Sequence, residues 1–552
     1  MKWFKNRKLP AGVIPSILIA GILLLSGLLF SLYESVRTDD SLSLHAYAEI
    51  WSGKSFQMSF LYSVSIALLS SLLAIGGGLF ITRAIAPFMR RPFFKLLTWS
   101  PMLFPHFVWG YMLVLLIDQT GWIPQLLTEF GVLERTDQFP VLIRDEWGIG
   151  IILTYVTKEI PFVILMLIPL YLTMDGRKRD VITSLGGTKW NVFKTAEWPV
   201  IIPVLSETFI ILFAFILTAY EVPALLGITF PKMVSVLAFE WFYNGDWSHR
   251  PLAYAAMLTV TVLILLLSVL FYFLWGRNRR TGKESSRGTV FRKKGSKTVL
   301  TIYMLLVFMP IAALAGSSFL QRNHHHVFSS QPSARAWKLL LEDPLLVQAV
   351  WTSIGIGVMV VLLNYLIGIP AARALAFKEF KGKTFTETVL LAPILVPALL
   401  VAMGLHIAFI RLGLANEWSG VVLIQLLPTL PYTVKMFRAG FEQMGISFEQ
   451  QARTLGASKL EIVKSIYLPM LLSSFRASAF LLFVISLGQF VLTSLIGGGS
   501  VLTLALVYFP YFEQADTAVL AAFSLLFAVI PLGVWAVFEA VFRILSPYKG
   551  RF

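Results

Sequence analysis

The chain contains twelve apolar stretches, each long enough to cross a lipid bilayer as a helix. A spanning helix needs about 20 predominantly apolar residues, and in lipid it must satisfy its own backbone hydrogen bonds. Only 14% of the 552 residues are charged, against about 25% in a typical soluble domain. We therefore expect an all-α polytopic membrane protein. The predicted spans are residues 12–32, 58–82, 96–117, 148–173, 200–222, 252–275, 299–319, 347–369, 387–410, 420–437, 471–495 and 517–543.

The net charge of +16 is distributed as membrane topology requires. Lysine and arginine dominate the N-terminus and the segment 277–297, whereas the loop 118–146 is mainly acidic. Basic loops remain on the cytoplasmic side, so both termini are predicted to be cytoplasmic. Juxtamembrane basic clusters also attract anionic lipid headgroups. The charge therefore indicates membrane lipids as partners and gives no reason to expect nucleic acid.

The chain repeats itself in two halves with the same order of motifs. A basic linker, 277–298, separates residues 1–276 from residues 299–552. Matching motifs lie farther apart before the loop 118–146 than after it, so the first half has additional residues in that loop. We expect two homologous six-helix domains related by a pseudo-two-fold axis. The matching motifs are Arg83-Ala-Ile-Ala and Arg373-Ala-Leu-Ala, Pro101 to Pro105 and Pro393 to Pro397, and Pro161 and Pro431.

One polar segment is repeated between predicted spans. In both copies Leu-Gly is followed by a proline at the same spacing, at Gly186 and Pro199 and again at Gly456 and Pro469. Apolar residues three apart follow each glycine, which places each pair on one face of a short helix. Such a helix can lie on the lipid surface or in a groove of another protein. Two copies in register favour a shaped protein partner. The pairs are Trp190 with Phe193 and Leu460 with Val463.

These segments resemble the EAA loops of permease subunits from bacterial binding-protein-dependent ABC importers. That pattern is Glu-Ala-Ala, three residues, Gly, nine residues, Ile, one residue, Leu-Pro. The second copy keeps its anchors Ala452, Gly456, Ile466, Leu468 and Pro469, and Gln450 replaces Glu. The first copy keeps only the glycine and the proline, and Asp180 replaces Glu. With its two halves, the chain is similar to the fused permeases of the iron(III), thiamine and polyamine importers.

The resemblance implies a mechanism and partners. Each loop, about 175–199 and about 439–469, would form a coupling helix seated in a cleft of a separate ATP-binding subunit, expected as a homodimer. ATP and magnesium would bind that subunit, and an external binding protein would deliver a small solute to a bacterial inner-membrane pathway. The glycines would permit a sharp turn. The residues implied in ATPase coupling are Asp180, Gly186, Trp190, Phe193, Pro199, Gln450, Ala452, Gly456, Leu460, Val463 and Pro469.

Ionisable and polar residues inside the predicted spans are candidates for the substrate pathway, because buried charge in a membrane is costly and usually functional. The alternative is that they bond neighbouring helices or lie at the external interface. A carboxylate and an amide that fall near each other in the alignment of the two halves suit a cationic or hydroxyl-rich solute. The candidates are Lys158, Glu159, Tyr220, Glu221, Gln489 and Phe490.

Other chemistry is poorly supported by the sequence. There is no cysteine, and three consecutive histidines at 324–326 do not fix a metal geometry, so a solvated loop is the expectation there. Gly382-Lys383-Thr384 imitates the end of a phosphate-binding loop, but Phe377 replaces its first glycine. We expect no cofactor on this chain and no enzymatic activity.

Two other functional classes compete with the importer. Twelve helices in two parallel halves also describe a secondary transporter driven by an ion gradient. That class predicts a charged Gly/Asp/Arg motif between the second and third spans, where this chain has Arg83-Ala-Ile-Ala-Pro. A membrane-embedded enzyme predicts clustered catalytic residues, which the sequence does not contain. Neither class explains the paired Leu-Gly…Pro segments.

Overall fold

The computed structural model describes residues 8–37, 41–174, 176–243, 247–275, 295–321, 331–513 and 516–545, and within them the structure is helical. The first thirteen α-helices are α1 (Ile14–Val36), α2 (His45–Ser52), α3 (Lys54–Ile85), α4 (Pro92–Trp99), α5 (His106–Ile117), α6 (Trp122–Glu129), α7 (Ile149–Thr173), α8 (Arg177–Ser184), α9 (Lys189–Val192), α10 (Trp198–Thr218), α11 (Glu221–Leu226), α12 (Val234–Tyr243) and α13 (Arg250–Trp275). The others are α14 (Lys297–Ser317), α15 (Arg335–Glu342), α16 (Pro344–Phe377), α17 (Lys383–Leu391), α18 (Ala398–Arg411), α19 (Trp418–Met444), α20 (Ser447–Thr454), α21 (Lys459–Ile462), α22 (Leu468–Met470), α23 (Leu472–Leu487), α24 (Phe490–Gly497), α25 (Leu504–Glu513) and α26 (Thr517–Leu545).

The predicted membrane spans are confirmed as helices. Among the described residues, nine helices are long and apolar enough to cross a membrane, and three bent helix pairs raise the number to twelve. Two of the bends, of 95° and 96°, lie at Pro105 and Pro397 in matching positions of the two halves. Proline lacks an amide hydrogen and keeps the preceding residue out of the helical region, so each of these spans is interrupted. The third bend, of 78°, lies at Leu471.

The sequence repeat is also a structural repeat. Three pairs of helices begin and end at the spacing that separates Pro161 from Pro431, namely α8 and α20, α9 and α21, and α12 and α25. A buried hydrogen bond recurs as well: the amide of Val234 donates to Ser63 Oγ at 2.8 Å, and the amide of Leu504 donates to Ser353 Oγ at 2.8 Å. The two halves therefore share one plan of local structure.

Small residues bring the central helices of each half together. Helix α3 packs on α7, and a Cβ added at Gly78 would lie 2.6 Å from Val163. Helix α16 packs on α19, and a Cβ added at Gly368 would lie 2.7 Å from Thr433. Close backbone approach at glycine is typical of helix packing in lipid, where van der Waals contact replaces the hydrophobic effect. The contact is the same in both halves.

The two compact units do not contain the same residues as the two expected domains, 1–276 and 299–552. One unit combines residues up to Ser43 with residues from Ser333 onward, and the other is Leu44–Pro332. Helix α1 thus packs with the second half of the chain, and α14 packs with the first half. The linear order of the repeat does not determine which helices touch, because packing depends on complementary surfaces.

Those surfaces are visible at the two exchanged helices. On α1, a Cβ added at Gly27 would lie 2.6 Å from Val401 of α18, and Ser31 Oγ donates to the Leu400 carbonyl at 3.0 Å. On α14, Ser317 Oγ accepts a hydrogen bond of 3.1 Å from the indole of Trp122. Small and hydroxyl-bearing residues therefore fix each exchanged helix in its unit.

Candidate coupling segments and buried polar residues

The two predicted coupling segments have the same backbone. In the first, α8 ends before Gly186, α9 follows, and a π-helical turn at Phe193–Glu197 leads into α10. In the second, α20, Gly456, α21 and a π-helical turn at Val463–Tyr467 occur at the same spacing. Because π-helical turns are rare and often occur at functional sites, their recurrence marks both segments.

The glycines at the turn are required for their backbone conformation. Gly186 has a φ of +80° and Gly456 a φ of +83°, in the left-handed region that favours glycine. A Cβ added at either position would meet no atom of the described residues within 4 Å. The described part of the chain therefore leaves open space beside both turns, where backbone strain disfavours other residues.

The short helices after the glycines begin with a side-chain cap. Thr188 Oγ1 accepts a 3.3 Å hydrogen bond from the amide of Asn191. Ser458 and Glu461 form a reciprocal capping box, in which the Ser458 amide donates to Glu461 Oε2 at 2.6 Å. Capping satisfies amide groups that have no partner inside the helix. It makes these one-turn helices defined parts of the fold.

Large apolar side chains are exposed on each segment. Trp190 is 66% and Leu460 62% exposed, and Val463 is also exposed. The leucines before the turns are still more exposed, Leu185 at 82% and Leu455 at 87%. The sequence analysis did not select these two leucines, although their repetition in Leu-Gly was the available signal.

The remaining coupling residues differ in exposure. Phe193 is half-buried beneath the guanidinium of Arg83, which lies 4.5 Å from its ring centroid, so it mainly packs against its own unit. Ala452 packs on the cluster of apolar side chains around Phe441. The other four lie at or near the surface, with both prolines in the first turn of a helix, where proline is tolerated. They are Asp180, Pro199, Gln450 and Pro469.

An arginine cluster anchors the first segment to α3. Arg83 Nε donates to Glu197 Oε2 at 2.7 Å, and Arg83 Nη2 donates to Glu197 Oε1 at 3.3 Å. The phenol of Tyr171 donates to Glu197 Oε2 at 3.1 Å. The Glu197 side chain is buried. Charge-assisted, bidentate bonds of this kind are the strong class of hydrogen bond. Arg83, Tyr171 and Glu197 are called the first arginine cluster.

A second arginine cluster, Arg373, Glu449 and Tyr467, anchors the second segment to α16. Arg373 Nε donates to Glu449 Oε2 at 2.9 Å and to the Tyr467 hydroxyl at 2.7 Å, and Arg453 Nε adds a 2.9 Å bond to Glu449 Oε1. Burial disfavours the charged carboxylate, but hydrogen bonds from Arg373 and Tyr467 and the charges of Arg373 and Arg453 outweigh it. The pKa of Glu449 is therefore below its ordinary value.

Two of the predicted pathway residues form a polar cluster at the break before α5. The Lys158 ammonium donates to the carbonyls of Pro101 and Phe104, the second at 2.5 Å. Glu159 Oε1 lies 2.7 Å from His106 Nε2. Lys158 therefore bonds carbonyl groups that the break in the span leaves without helical partners. This contact agrees with the alternative in which these polar residues bond neighbouring helices. His106, which the sequence analysis did not select, is the partner of Glu159.

The other pathway residues lie at breaks that directly follow the fifth spanning helix of each half. Tyr220 immediately precedes α11, whose first residue is Glu221, and Gln489 immediately precedes α24, whose first residue is Phe490. The Tyr220 ring packs on Phe239 at 4.5 Å. Irregular backbone inside a membrane protein is tolerated where it is buried in protein or lines a cavity. Each half therefore has polar groups at a break after the same spanning helix.

No metal cluster is found in the part of the chain that the structure describes. His324, His325 and His326 lie outside the described residues, so their role stays a prediction. Gly382 precedes α17, and Lys383 pairs with Glu379 at 2.9 Å.

Comparison with known proteins identifies the family. Residues 364–548 match the family described as binding-protein-dependent transport system inner membrane component. The molybdenum transport system permease protein ModB of Escherichia coli is 31% identical over 165 residues, which are 28% of this chain and 72% of that protein. This chain belongs to the binding-protein-dependent permease family.

Two further relatives of the permease match more of its length. The inner membrane ABC transporter permease protein YnjC of Escherichia coli is 24% identical over 72% of this chain and 74% of its own length. The thiamine transport system permease protein ThiP of Salmonella typhimurium is 23% identical over 87% of this chain and 89% of its own length. The chain is a fused, multi-pass inner-membrane permease and a transport subunit of an ABC importer. The family implies a solute-binding protein and an ATPase as partners.

Proposed function

We propose that this permease forms the pathway for a small solute and is driven by a separate ATP-binding homodimer that grips the two coupling segments. The observation that carries the proposal is the repeated arrangement of a helix, a left-handed glycine and a capped helix. Each copy exposes a leucine next to the glycine and a large apolar side chain on the helix that follows. An exposed apolar patch surrounded by polar residues is typical of a protein interface.

Several features of the segments suit a protein cleft better than a lipid surface. The open space beside Gly186 and Gly456 allows another chain to approach the backbone. Arginine clusters hold each segment on its own unit, so little conformational entropy is lost on docking. Lys189 and Lys459 are exposed beside the apolar side chains and offer contacts to acidic groups at the rim.

The proposal assigns the remaining roles to partners. ATP and magnesium bind the ATP-binding subunit, and an extracytoplasmic binding protein delivers the solute. Both termini of the permease lie in the cytoplasm, on the same side as the coupling segments. Within the pathway, we assign solute contact to Glu159, Tyr220, Glu221, Gln489 and Phe490, and we assign Lys158 to supporting the break that precedes α5.

Co-purification tests the coupling proposal. Valine at both Gly186 and Gly456 forces a β-branched residue into the left-handed region, which strains the turn. The full chain, tagged and extracted from its native membrane, should bring a stable ATPase with it, and the double variant should lose it. Gly413 provides a matched control, since its φ is +66° and no atom lies within 4 Å of an added Cβ. It lies in the loop that corresponds to 118–146, so Gly413→Val should retain the ATPase.

Reconstitution separates the importer from its competitor. An importer needs ATP and the ATPase for solute uptake into proteoliposomes. Uptake by the purified chain alone, driven by an ion gradient, would contradict the proposal and favour a secondary transporter.

The pathway assignment has its own test. Glu221→Gln should impair uptake and leave the ATPase bound, because it removes a charge from the break after the fifth spanning helix without changing the coupling segments. Glu207→Gln, on α10 of the same unit, is the matched control. Unchanged uptake kinetics in Glu221→Gln would remove Glu221 from the pathway.

A further inference from the structure

Both coupling segments are anchored by an arginine near the end of the second spanning helix of their half of the chain. Arg83 lies in the last turn of α3, and Arg373 lies near the end of α16. Each guanidinium makes bonds to both oxygens of one buried glutamate, and a tyrosine hydroxyl bonds the same carboxylate. The chemistry at the two sites is therefore the same.

The glutamates do not occupy equivalent positions. In the register that aligns Gly186 with Gly456, Glu197 corresponds to Tyr467, and Glu449 corresponds to Arg179. The carboxylate belongs to a residue after the glycine in the first segment but to a residue before the glycine in the second. The tyrosines differ too, because Tyr171 of α7 corresponds to Phe441 of α19. Only the arginines are in matching positions.

An arginine–glutamate–tyrosine contact occurs at both segments although its glutamate and tyrosine come from different positions, which indicates that each segment requires this contact. A buried carboxylate is costly unless it is paired and hydrogen-bonded. In each copy a different position supplies the carboxylate, but the carboxylate pairs with the arginine at the matching position of the repeat. Apolar packing could have held either coupling segment against its helix instead. The shared result is a stiff connection between a coupling segment and the helix that bears the arginine.

We infer that Arg83 and Arg373 are positioning residues that connect each coupling segment to α3 or α16, through a carboxylate supplied at non-equivalent places. The inference rests on the proposed function in one respect: the segments must receive force from the ATPase. Movement of the segment then passes directly to α3 or α16. The π-helical turns lie inside this connection, since Glu197 and Tyr467 are their last residues.

Relocating the carboxylate tests the inference in the second unit. Glu449→Gln removes the charge, and adding Phe441→Tyr and Tyr467→Glu rebuilds the geometry of the first unit. Since the chain has no cysteine, spin labels at Thr454→Cys in α20 and Lys378→Cys after α16 report the distance between segment and helix. Double electron–electron resonance on the full chain in lipid nanodiscs gives the distance distribution.

The expected result is a narrow distribution in the parent, a broad one in Glu449→Gln, and a narrow one again in the triple variant. Glu442→Gln is the matched control, because it removes a nearby exposed ion pair with Arg438 at 2.8 Å and should leave the distribution narrow. A distribution unchanged by Glu449→Gln, or still broad after relocation, would overturn the inference. Rescue by a moved carboxylate excludes a general loss of folding.

A second measurement examines force transfer separately. In the complex with the ATPase, ATP with vanadate should change hydrogen exchange in peptides of α16, and Glu449→Gln should lose that change while keeping the ATPase bound. The triple variant should recover it. An α16 response that persists in Glu449→Gln would overturn the role in force transfer. If the parent retains no ATPase, the proposed function fails, and the spin-label result still decides whether the arginine connects segment and helix.

Discussion

The two coupling segments share one backbone but differ in their side chains. Both have a left-handed glycine, a capped one-turn helix and a π-helical turn at matching positions of the repeat. The first exposes Trp190 and continues into one unbroken helix, whereas the second exposes Leu460 and bends by 78° at Leu471. Their arginine clusters use different positions for the carboxylate. Backbone geometry is thus the shared property, and the chemistry around it varies.

The largest expected difference in ATPase binding between the segments lies in their apolar anchors. Truncating a central tryptophan at an interface costs about 2 kcal/mol or more, so Trp190→Ala should weaken ATPase binding roughly 30-fold. Leu460→Ala should cost about 1.5 kcal/mol, or roughly 10-fold. Biolayer interferometry with the purified ATPase measures both. Trp147→Ala, also highly exposed but in the loop predicted to be external, is the control. Unchanged affinity in Trp190→Ala would show that the first segment does not dock.

The next difference concerns stability. Glu449 receives bonds from Arg373, Arg453 and Tyr467, whereas Glu197 receives bonds from Arg83 and Tyr171. Hydrogen bonds to charged groups contribute about 1.5–3 kcal/mol each, so Glu449→Gln should reduce the free energy of unfolding by about 2–3 kcal/mol. Glu197→Gln should cost less. Denaturant titration in mixed micelles measures both, and the reverse order would contradict the comparison.

The effect of Glu449 should depend on pH. Its pKa is lower in the folded protein than in the unfolded chain, where it is about 4.3. Stability from a lowered pKa is fully present above the unfolded pKa and declines as pH falls through the folded pKa. The difference between the parent and Glu449→Gln should therefore be constant near neutral pH and shrink below about pH 4. A difference that grows with acidification would contradict the assigned sign.

The smallest expected effects are at the helix caps. Ser458→Ala removes one member of a reciprocal box, and Thr188→Ala removes a single longer bond. Loss of an N-cap costs about 0.5–2 kcal/mol, and both variants should lie in the lower half of this range, with Ser458→Ala the more costly. Hydrogen exchange of peptides covering α9 and α21 would report the loss of protection. Equal loss at both caps would remove this difference.

Most of the fold is predictable from sequence because lipid restricts what an apolar stretch can do. All twelve predicted spans occur as helices or bent helix pairs. The exchange of α1 and α14 between units was not predictable from the repeat, since it depends on contacts such as Gly27 against Val401. Proline also gave an incomplete signal. Pro105 and Pro397 follow breaks, whereas α7 and α19 continue through their internal prolines.

The helices and turns of the two repeated segments were predictable in position, but the packing of their side chains was predictable only in part. Periodicity placed Trp190 with Phe193, and Leu460 with Val463, on one face of a short helix. Trp190, Leu460 and Val463 are exposed, but Phe193 is half-buried because a guanidinium covers its ring. The arginine clusters were not predictable by matching the copies. Arg83 and Arg373 appear in the repeat, but their carboxylates lie at non-equivalent positions, so a position-by-position comparison does not pair them.

Site-directed cross-linking tests the central claim most directly. Single cysteines at Leu185 and Leu455, introduced into a chain that has none, place a photoactivatable group beside each turn in the native membrane. Both positions should form adducts with the same ATP-binding subunit, whereas Leu412→Cys, exposed in the loop that corresponds to 118–146, should form none. If Leu185→Cys and Leu455→Cys form adducts only with lipid, the coupling segments are not the sites through which ATP drives this permease.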